Sequence, residues 1–108
     1  MTDMLRGRIY RAHLSHIGAD KFFVVVSNNR RNRAFESVLA ARLSTTPPRD
    51  SRPAMVPLGA AEVLVGWVSC DDIETLYADE VRADAGAVSA AAMRRIEAGL
   101  RAALGISD

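Results

Sequence analysis

The sequence predicts a mainly β protein, a small and strongly curved β-barrel with one C-terminal α-helix on its flank. Short runs of alternating or continuous apolar residues recur through most of the chain, and clusters of Gly, Pro, Asn and Ser separate them. Only the last segment changes to a helical period. The 108 residues allow one compact core and leave no room for a second, so residues 1–108 are read as a single domain.

Arg8-Ile9-Tyr10-Arg11-Ala12-His13-Leu14 alternates polar with apolar residues, the pattern of a strand with one buried face. Gly18 and Asp20 break it. Phe22 to Val26 is a continuous β-branched and aromatic run, short enough for a strand buried on both sides. Ser27-Asn28-Asn29-Arg30-Arg31-Asn32-Arg33 holds no hydrophobic residue and must face solvent, as a loop or as a short helical turn capped by Ser27 or an Asn. Ser37 to Leu43 is the next strand, ended by the turn-rich Ser44-Thr45-Thr46-Pro47-Pro48-Arg49-Asp50. Ala54 to Leu58, flanked by prolines, is expected at a sheet edge. Val63 to Val68 is an apolar strand in which Gly66 marks a bulge or a close backbone contact, and a further short strand or bridge is expected around Ile73 to Leu76. Ser89 then caps a helix whose Met93, Ile96, Leu100 and Ala103 share one face, and Gly105 stops it. Gly99, inside that helix, points to a close approach to another backbone.

The composition excludes several classes. Apolar residues make up 49% and charged residues 25%, and no uncharged apolar run approaches the roughly 20 residues that cross a bilayer. The opening MTDMLRGRIYRAHL has no basic segment followed by an apolar one, so no secretory signal or membrane partner is expected and the cytoplasm is the predicted location. A single cysteine, Cys70, rules out an internal disulfide and a Cys-based zinc cluster. The net charge of +1 conceals an asymmetry. Residues 1–52 carry ten cations and four acids, net +6, and residues 53–108 carry four cations and nine acids, net −5. Thirteen of the fourteen cations are arginine, which suits bidentate phosphate contacts. Two readings are open: a basic face for nucleic acid, or two solvated surfaces that differ in sign.

Nucleotide-loop, zinc-protease and nucleophile-elbow motifs are absent. His13 and His16 are spaced for a metal only on a helix; on a strand leading into a turn their rings diverge. Cys70-Asp71-Asp72 reads as a buried cysteine at a strand end beside solvated carboxylates. What remains is a polar constellation at strand ends: Lys21, the Asn/Arg run and Ser44-Thr45-Thr46, which a curved antiparallel sheet can bring together. A cation, a hydroxyl donor and a phosphate-gripping surface suffice for cleaving RNA with its own 2′-hydroxyl, because the substrate supplies the nucleophile. The same residues at loop ends are equally ordinary solubilising side chains.

LRGRIYRAHL, VVVSNNRRNR, LAARLSTTP, WVSCDDIETL and GAVSAAAMRRIEAGLRAALGI follow one another in an order and spacing that resemble the MazF/PemK (Kid) family of toxin–antitoxin ribonucleases across roughly residues 5 to 106. The resemblance implies an SH3-like barrel, a homodimer, and a metal-independent, sequence-specific endoribonuclease without a cofactor. Such an enzyme leaves 2′,3′-cyclic phosphate and 5′-hydroxyl ends on single-stranded RNA. It also implies a MazE-like antitoxin as partner, with operator DNA bound through that antitoxin. The family's catalytic arginine precedes the second strand, where this chain has Lys21-Phe22. Its threonine ends the third strand, which falls on Ser44, with Thr45 beside it. Arg11, Asn28, Asn29, Arg30, Arg31, Asn32 and Arg33 are the implied RNA-binding residues, and no metal ligand is implied. The Ser15 to Asp20 loop is shorter than in many relatives, so cut-site preference does not carry over.

A reading from another class is a non-hydrolytic module on the same barrel, either a CcdB-like gyrase poison or a toxin that has kept only antitoxin and operator binding. Lys21 in place of arginine favours it; the lack of a tryptophan near the C-terminus argues against the gyrase form. The dimer is also expected from packing, because Phe22, Phe23, Trp67 and the Met93/Ile96/Leu100 stripe exceed what so small a barrel covers easily.

Overall fold

The computed structural model describes residues 3–107. Six strands form one antiparallel sheet: β1 (Arg8–Leu14), β2 (Ala19–Val25), β3 (Ser37–Ser44), β4 (Met55–Leu58), β5 (Gly66–Tyr77) and β6 (Val81–Ala87). Their spatial order is β4-β5-β3-β2-β1-β6. Helix α1 (Asn29–Ala34) joins β2 to β3, and α2 (Ala90–Leu104) ends the chain. The expected mainly β architecture with a terminal helix is present, and no helix among the described residues is long and apolar enough to cross a membrane.

Both faces of the sheet carry a core. Under α2, Ile9, Val24, Leu43, Val56, Leu58, Val68 and Cys70 pack against Ala92 and Ile96. On the opposite face Tyr10, Ala12, Leu14, Phe23, Val25, Val38, Ala40 and Leu76 form the second cluster. Odd and even residues of β2 and β3 thus serve different cores, which is why Phe22 to Val26 reads as an uninterrupted apolar run. Much of the apolar surface expected to need a second subunit is covered by the chain itself: Phe23 and Ile96 are fully buried, and Phe22, Met93 and Leu100 pack against the first core. The exposed large apolar side chains are others, among them Leu5, Phe35, Val63, Val65 and Tyr77.

Several boundaries differ from expectation for physical reasons. Strand β2 begins at Ala19, because pairing with β1 carries Asp20 and Lys21 into the ladder opposite His13 and Ala12. Val63 to Val65 stay outside any strand, with Val63 and Val65 exposed, whereas β5 runs on through Cys70-Asp71-Asp72 to Tyr77 in one piece. A register shift opposite Ala41/Arg42 leaves Cys70, Asp71 and Asp72 without pairing partners on β3, and Cys70 lies inside the strand, not at its end. Strand β6 was not foreseen. Its VRADAGA sequence has weak β-propensity, and pairing with β1, broken by two register shifts, holds it at the edge. The cap of α1 is Asn28, whose side chain accepts from Arg31 N, and the cap of α2 is Ser89, as expected.

Gly99 meets side chains more than backbone: a Cβ there would lie 2.8 Å from both Cys70 Sγ and Val56 Cγ2 and 3.2 Å from Pro53 O. The Cys70 thiol, against α2, donates to Ile96 O at 3.6 Å. Burial, with the neighbouring Asp71 charge, pushes it up to about 11. A thiol raised in the fold contributes stability that is complete below its unfolded value of about 8.5 and fades as pH rises toward the folded one. Native protein at pH 8 should therefore leave Cys70 unmodified by a thiol-specific disulfide reagent, and denaturant should release one equivalent within minutes; full labelling without denaturant would contradict this burial.

Candidate functional site

The site is set by the antiparallel pairing of β2 with β3. Phe22 pairs with Leu43 in the last rung of the β2–β3 ladder, so Lys21 and Ser44 stand one step beyond it, next to each other where the ladder ends. Leu43 and Phe22 turn toward the α2 core, which by alternation puts Lys21, Arg42 and Ser44 together on the opposite face. Asp20, Lys21, Phe22, Arg42, Leu43 and Ser44, with Thr45 and Thr46, line a cleft of about 230 Å³. Within it Ser44 Oγ accepts the backbone N–H of Thr46 at 3.1 Å. The hydroxyl proton thus remains available for an incoming acceptor. Thr45 is exposed beside it. Arg42 is half-buried and lies 3.9 Å from Asp72 on β5, a loose pair that leaves most of its five donors free. Lys21 forms no ion pair among the described residues. Two cations and a hydroxyl donor therefore share one recess, an arrangement that can hold a dianionic phosphate.

Arg42 is the residue that sequence reasoning missed. The signal existed: once Leu43 is assigned inward, Arg42 and Ser44, two apart on one strand, must share the other face. It was hidden because the alternation of ARLS is invisible until one decides which core Leu43 serves.

The Asn/Arg run does not join this cleft. Helix α1 follows Val25, at the other end of β2, roughly 14 Å along the strand from Lys21. The expectation that all three polar segments converge holds only for Lys21 and Ser44-Thr45-Thr46, because β2 brings Lys21 in at its start and delivers the run at its finish. The asparagines of the run are engaged within the fold. Asn32 is buried, its amide donating to Ser27 O at 3.0 Å and its carbonyl accepting from Ser27 Oγ. Asn29 Oδ1 accepts from Arg6 N at 2.8 Å, and Asn28 is the helix cap. Arg31 donates to Ser37 O at 2.7 Å and stacks over Phe35 at 4.8 Å. Only Arg30 and Arg33 point into solvent without an ion pair among the described residues. Arg11 sits on β1, 3.7 Å from Asp20 at the cleft rim.

The two histidines diverge. His13 Nδ1 donates to Asp20 Oδ1 at 2.9 Å, and His16, in the short β1–β2 turn, reaches Glu74 Oε1 on β5 at 2.9 Å. Among the described residues no three His, Cys, Asp or Glu side chains are grouped to hold a metal ion. Asp71 accepts from Ser69 Oγ at 2.8 Å and from Arg52 Nε at 3.1 Å, and these bonds hold its carboxyl below the ordinary range. Arg52 also pairs with Asp50. The β3–β4 loop is thereby clasped to β5.

Residues 5–104 match the sequence profile described as PemK-like, MazF-like toxin of type II toxin-antitoxin system. The chain is 43% identical over 106 residues to Endoribonuclease MazF4 of Mycobacterium tuberculosis H37Rv and, equally, to Endoribonuclease MazF1 of Mycobacterium bovis, covering 98% of this chain and 97% of each relative. Among solved structures, an endoribonuclease in complex with its cognate antitoxin from a mycobacterial species superposes with a TM-score of 0.88 at 41% identity, covering 97% of this chain and 98% of that one. A MazE-MazF structure from Deinococcus radiodurans gives a TM-score of 0.79 at 18% identity, over 99% of this chain and 100% of that one, which is a likeness of fold.

Proposed function

The chain belongs to the PemK-like, MazF-like family of type II toxins, and on that premise we propose that it is a toxin endoribonuclease restrained by a cognate antitoxin. Its substrate is single-stranded RNA, whose 2′-hydroxyl is free to swing in line with the adjacent phosphate. The observation that carries this reading is the cleft in which Lys21, Arg42 and Ser44 share one face.

Attack by the 2′-oxygen builds negative charge on the phosphate oxygens, and the recess answers it with fixed donors. Lys21 contributes a point charge and the proton that the 5′-oxygen takes up as its bond to phosphorus breaks, while the proton of the attacking 2′-hydroxyl leaves to solvent and Lys21 is reprotonated from water. Arg42 contributes the planar fork that a lysine lacks, so the departure from the family arginine at position 21 is compensated from the next strand. Ser44 donates its hydroxyl to a phosphate oxygen, held for that purpose by Thr46 N, with Thr45 at the rim. The products are a 2′,3′-cyclic phosphate and a 5′-hydroxyl, and the step needs no metal because protein cations carry the charge. Arg11, Arg30 and Arg33 draw the strand toward the sheet electrostatically. Asn28, Asn29, Asn32 and Arg31 belong to the scaffold that presents those arginines.

The protein acts as a homodimer in the cytoplasm, with exposed Leu5, Phe35, Val63, Val65 and Tyr77 supplying apolar surface for association. The antitoxin, itself bound to operator DNA, competes with RNA for the free cations. Digestion of a mixed RNA pool in EDTA, followed by sequencing of 5′-hydroxyl ends, tests the reading and maps the cut site. Cyclic phosphate ends at a recurrent sequence are expected; intact RNA, or products with 3′-hydroxyl ends, would overturn it.

A further inference from the structure

We propose that the recess between Trp67 and the β3–β4 loop is a nucleobase pocket, taking the base of a nucleotide that flanks the phosphate held at Lys21, Arg42 and Ser44. The inference rests on the reading of that cleft as an RNA-cleaving site. The recess, about 300 Å³, is lined by Pro48, Arg49, Asp50, Met55, Pro57 and Trp67, with Ser51 at its edge.

Its position follows from the register. Trp67 pairs with Ser44 on one side and with Pro57 on the other. Val56, Leu58, Val68 and Cys70 point into the α2 core, so alternation sends Met55, Pro57 and Trp67 to the face that carries Ser44. Adjacent strands lie about 4.8 Å apart. A phosphate at Ser44 therefore leaves its neighbouring base within reach of the indole. Lys21 flanks Ser44 on one side and Trp67 on the other.

The chemistry of the walls selects a planar heteroaromatic. The half-buried indole offers a stacking face, Met55, Pro57 and Pro48 offer apolar sides, and Arg49 and Asp50 offer a donor and an acceptor at the rim for a base edge. Arg49 is exposed and forms no ion pair among the described residues, so its guanidinium is free for an incoming ligand. The wall is built in advance: Arg52 bridges Asp50 to Asp71 on β5, and two prolines limit the loop's freedom. The alternative, a half-buried tryptophan covered by its own loop, leaves the space above it unexplained.

Trp67 is the chain's one tryptophan, so its emission reports this pocket alone. The oligonucleotide spanning the mapped cut site, made uncleavable by a single 2′-deoxyribose and labelled at its 5′ end, is titrated into the wild-type protein while anisotropy and tryptophan emission are recorded. Quenching that saturates with the anisotropy is expected. Trp67→Ala should weaken binding about 10- to 100-fold, and Trp67→Phe should keep most of the affinity, with melting curves showing both folded. Binding without any change in emission, or a folded Trp67→Ala that binds like wild type, overturns the pocket and leaves the ribonuclease reading standing. Absence of both cleavage and binding overturns the reading and the pocket together. The emission measurement needs no substitution, so a variant that fails to fold does not weaken the test.

Discussion

Arg42→Ala should lower kcat for RNA cleavage about 100-fold, and Lys21→Ala about 100- to 1,000-fold, with KM changed far less. Both predictions follow from where charge develops. The ground-state phosphodiester carries one negative charge, and the pentavalent intermediate carries nearly two, so a cation fixed in the recess binds the later species more tightly. Removing one donor of this kind from a preorganised site typically costs about 3–4 kcal/mol. Conservative exchanges separate charge from geometry. Lys21→Arg should keep activity within about tenfold, whereas Arg42→Lys keeps the charge, loses the fork and falls between wild type and Arg42→Ala. Both side chains are only half-buried, so each variant should stay within about 0.5 kcal/mol of wild-type stability. Arg30→Ala gives the contrast, since α1 lies at the far end of β2: it should raise KM and flatten the salt dependence while kcat holds. An Arg42→Ala enzyme with wild-type kcat would remove Arg42 from the mechanism and leave Lys21 to answer the developing charge without help from the next strand.

The charge asymmetry looks different once partners are assigned. The +6 of residues 1–52 is not one basic groove. Arg6 is bound to Glu97, Arg8 to Asp84 and Arg52 to Asp71, so acids of the second half neutralise arginines of the first. Among the described cations of that half, those that stay open to a polyanion are Lys21, Arg30, Arg33 and Arg49, with Arg11 and Arg42 held only by loose partners. Sequence alone could not separate these groups, because a side chain's ion-pair partner is fixed by topology; Arg6 and Glu97 are 91 residues apart.

Legibility followed the same line. Elements whose own residues dictate their period, such as β1 with its alternation and α2 with its cap and stripe, were readable. Strand β6 was not, because its Ala, Asp and Gly residues pair only when β1 is already in place. In the site, Lys21 and Ser44 were legible as residues near strand ends, while Arg42 required knowing the inward face of β3. The polar run after β2 misled for a further reason: Asn is as useful for capping a helix and bridging two loops as for holding RNA, and Asn28, Asn29 and Asn32 do the former.

Gly66→Ala should damage both fold and catalysis, and Gly99→Ala only the fold. A Cβ on Gly66 would stand 2.5 Å from Ser44 O and 3.2 Å from Ser44 C. Those are backbone atoms of a paired strand, which cannot rotate aside as a side chain can, so β5 and the end of β3 must part. Overpacking of this sort typically costs about 1–3 kcal/mol, which for a domain of this size lowers Tm by roughly 4–8 °C per kcal/mol. The displaced residue is also the hydroxyl donor of the cleft and the register partner of Trp67. A shift of about 1 Å in a positioned catalytic group can cost about 100-fold in rate, so at 20 °C, with the variant folded by circular dichroism, kcat should fall by at least tenfold. At Gly99 the colliding atoms are Cys70 Sγ and Val56 Cγ2, on the α2 side of the sheet and away from the cleft. That variant also gains about 1 kcal/mol of helix propensity, so it should lose a few degrees of Tm and keep its kcat. Measured together, the two alanines distinguish a site that depends on the β3–β5 register from one that depends only on the barrel's being folded: equal kcat losses would mean that the position of Ser44 is not what the glycine protects.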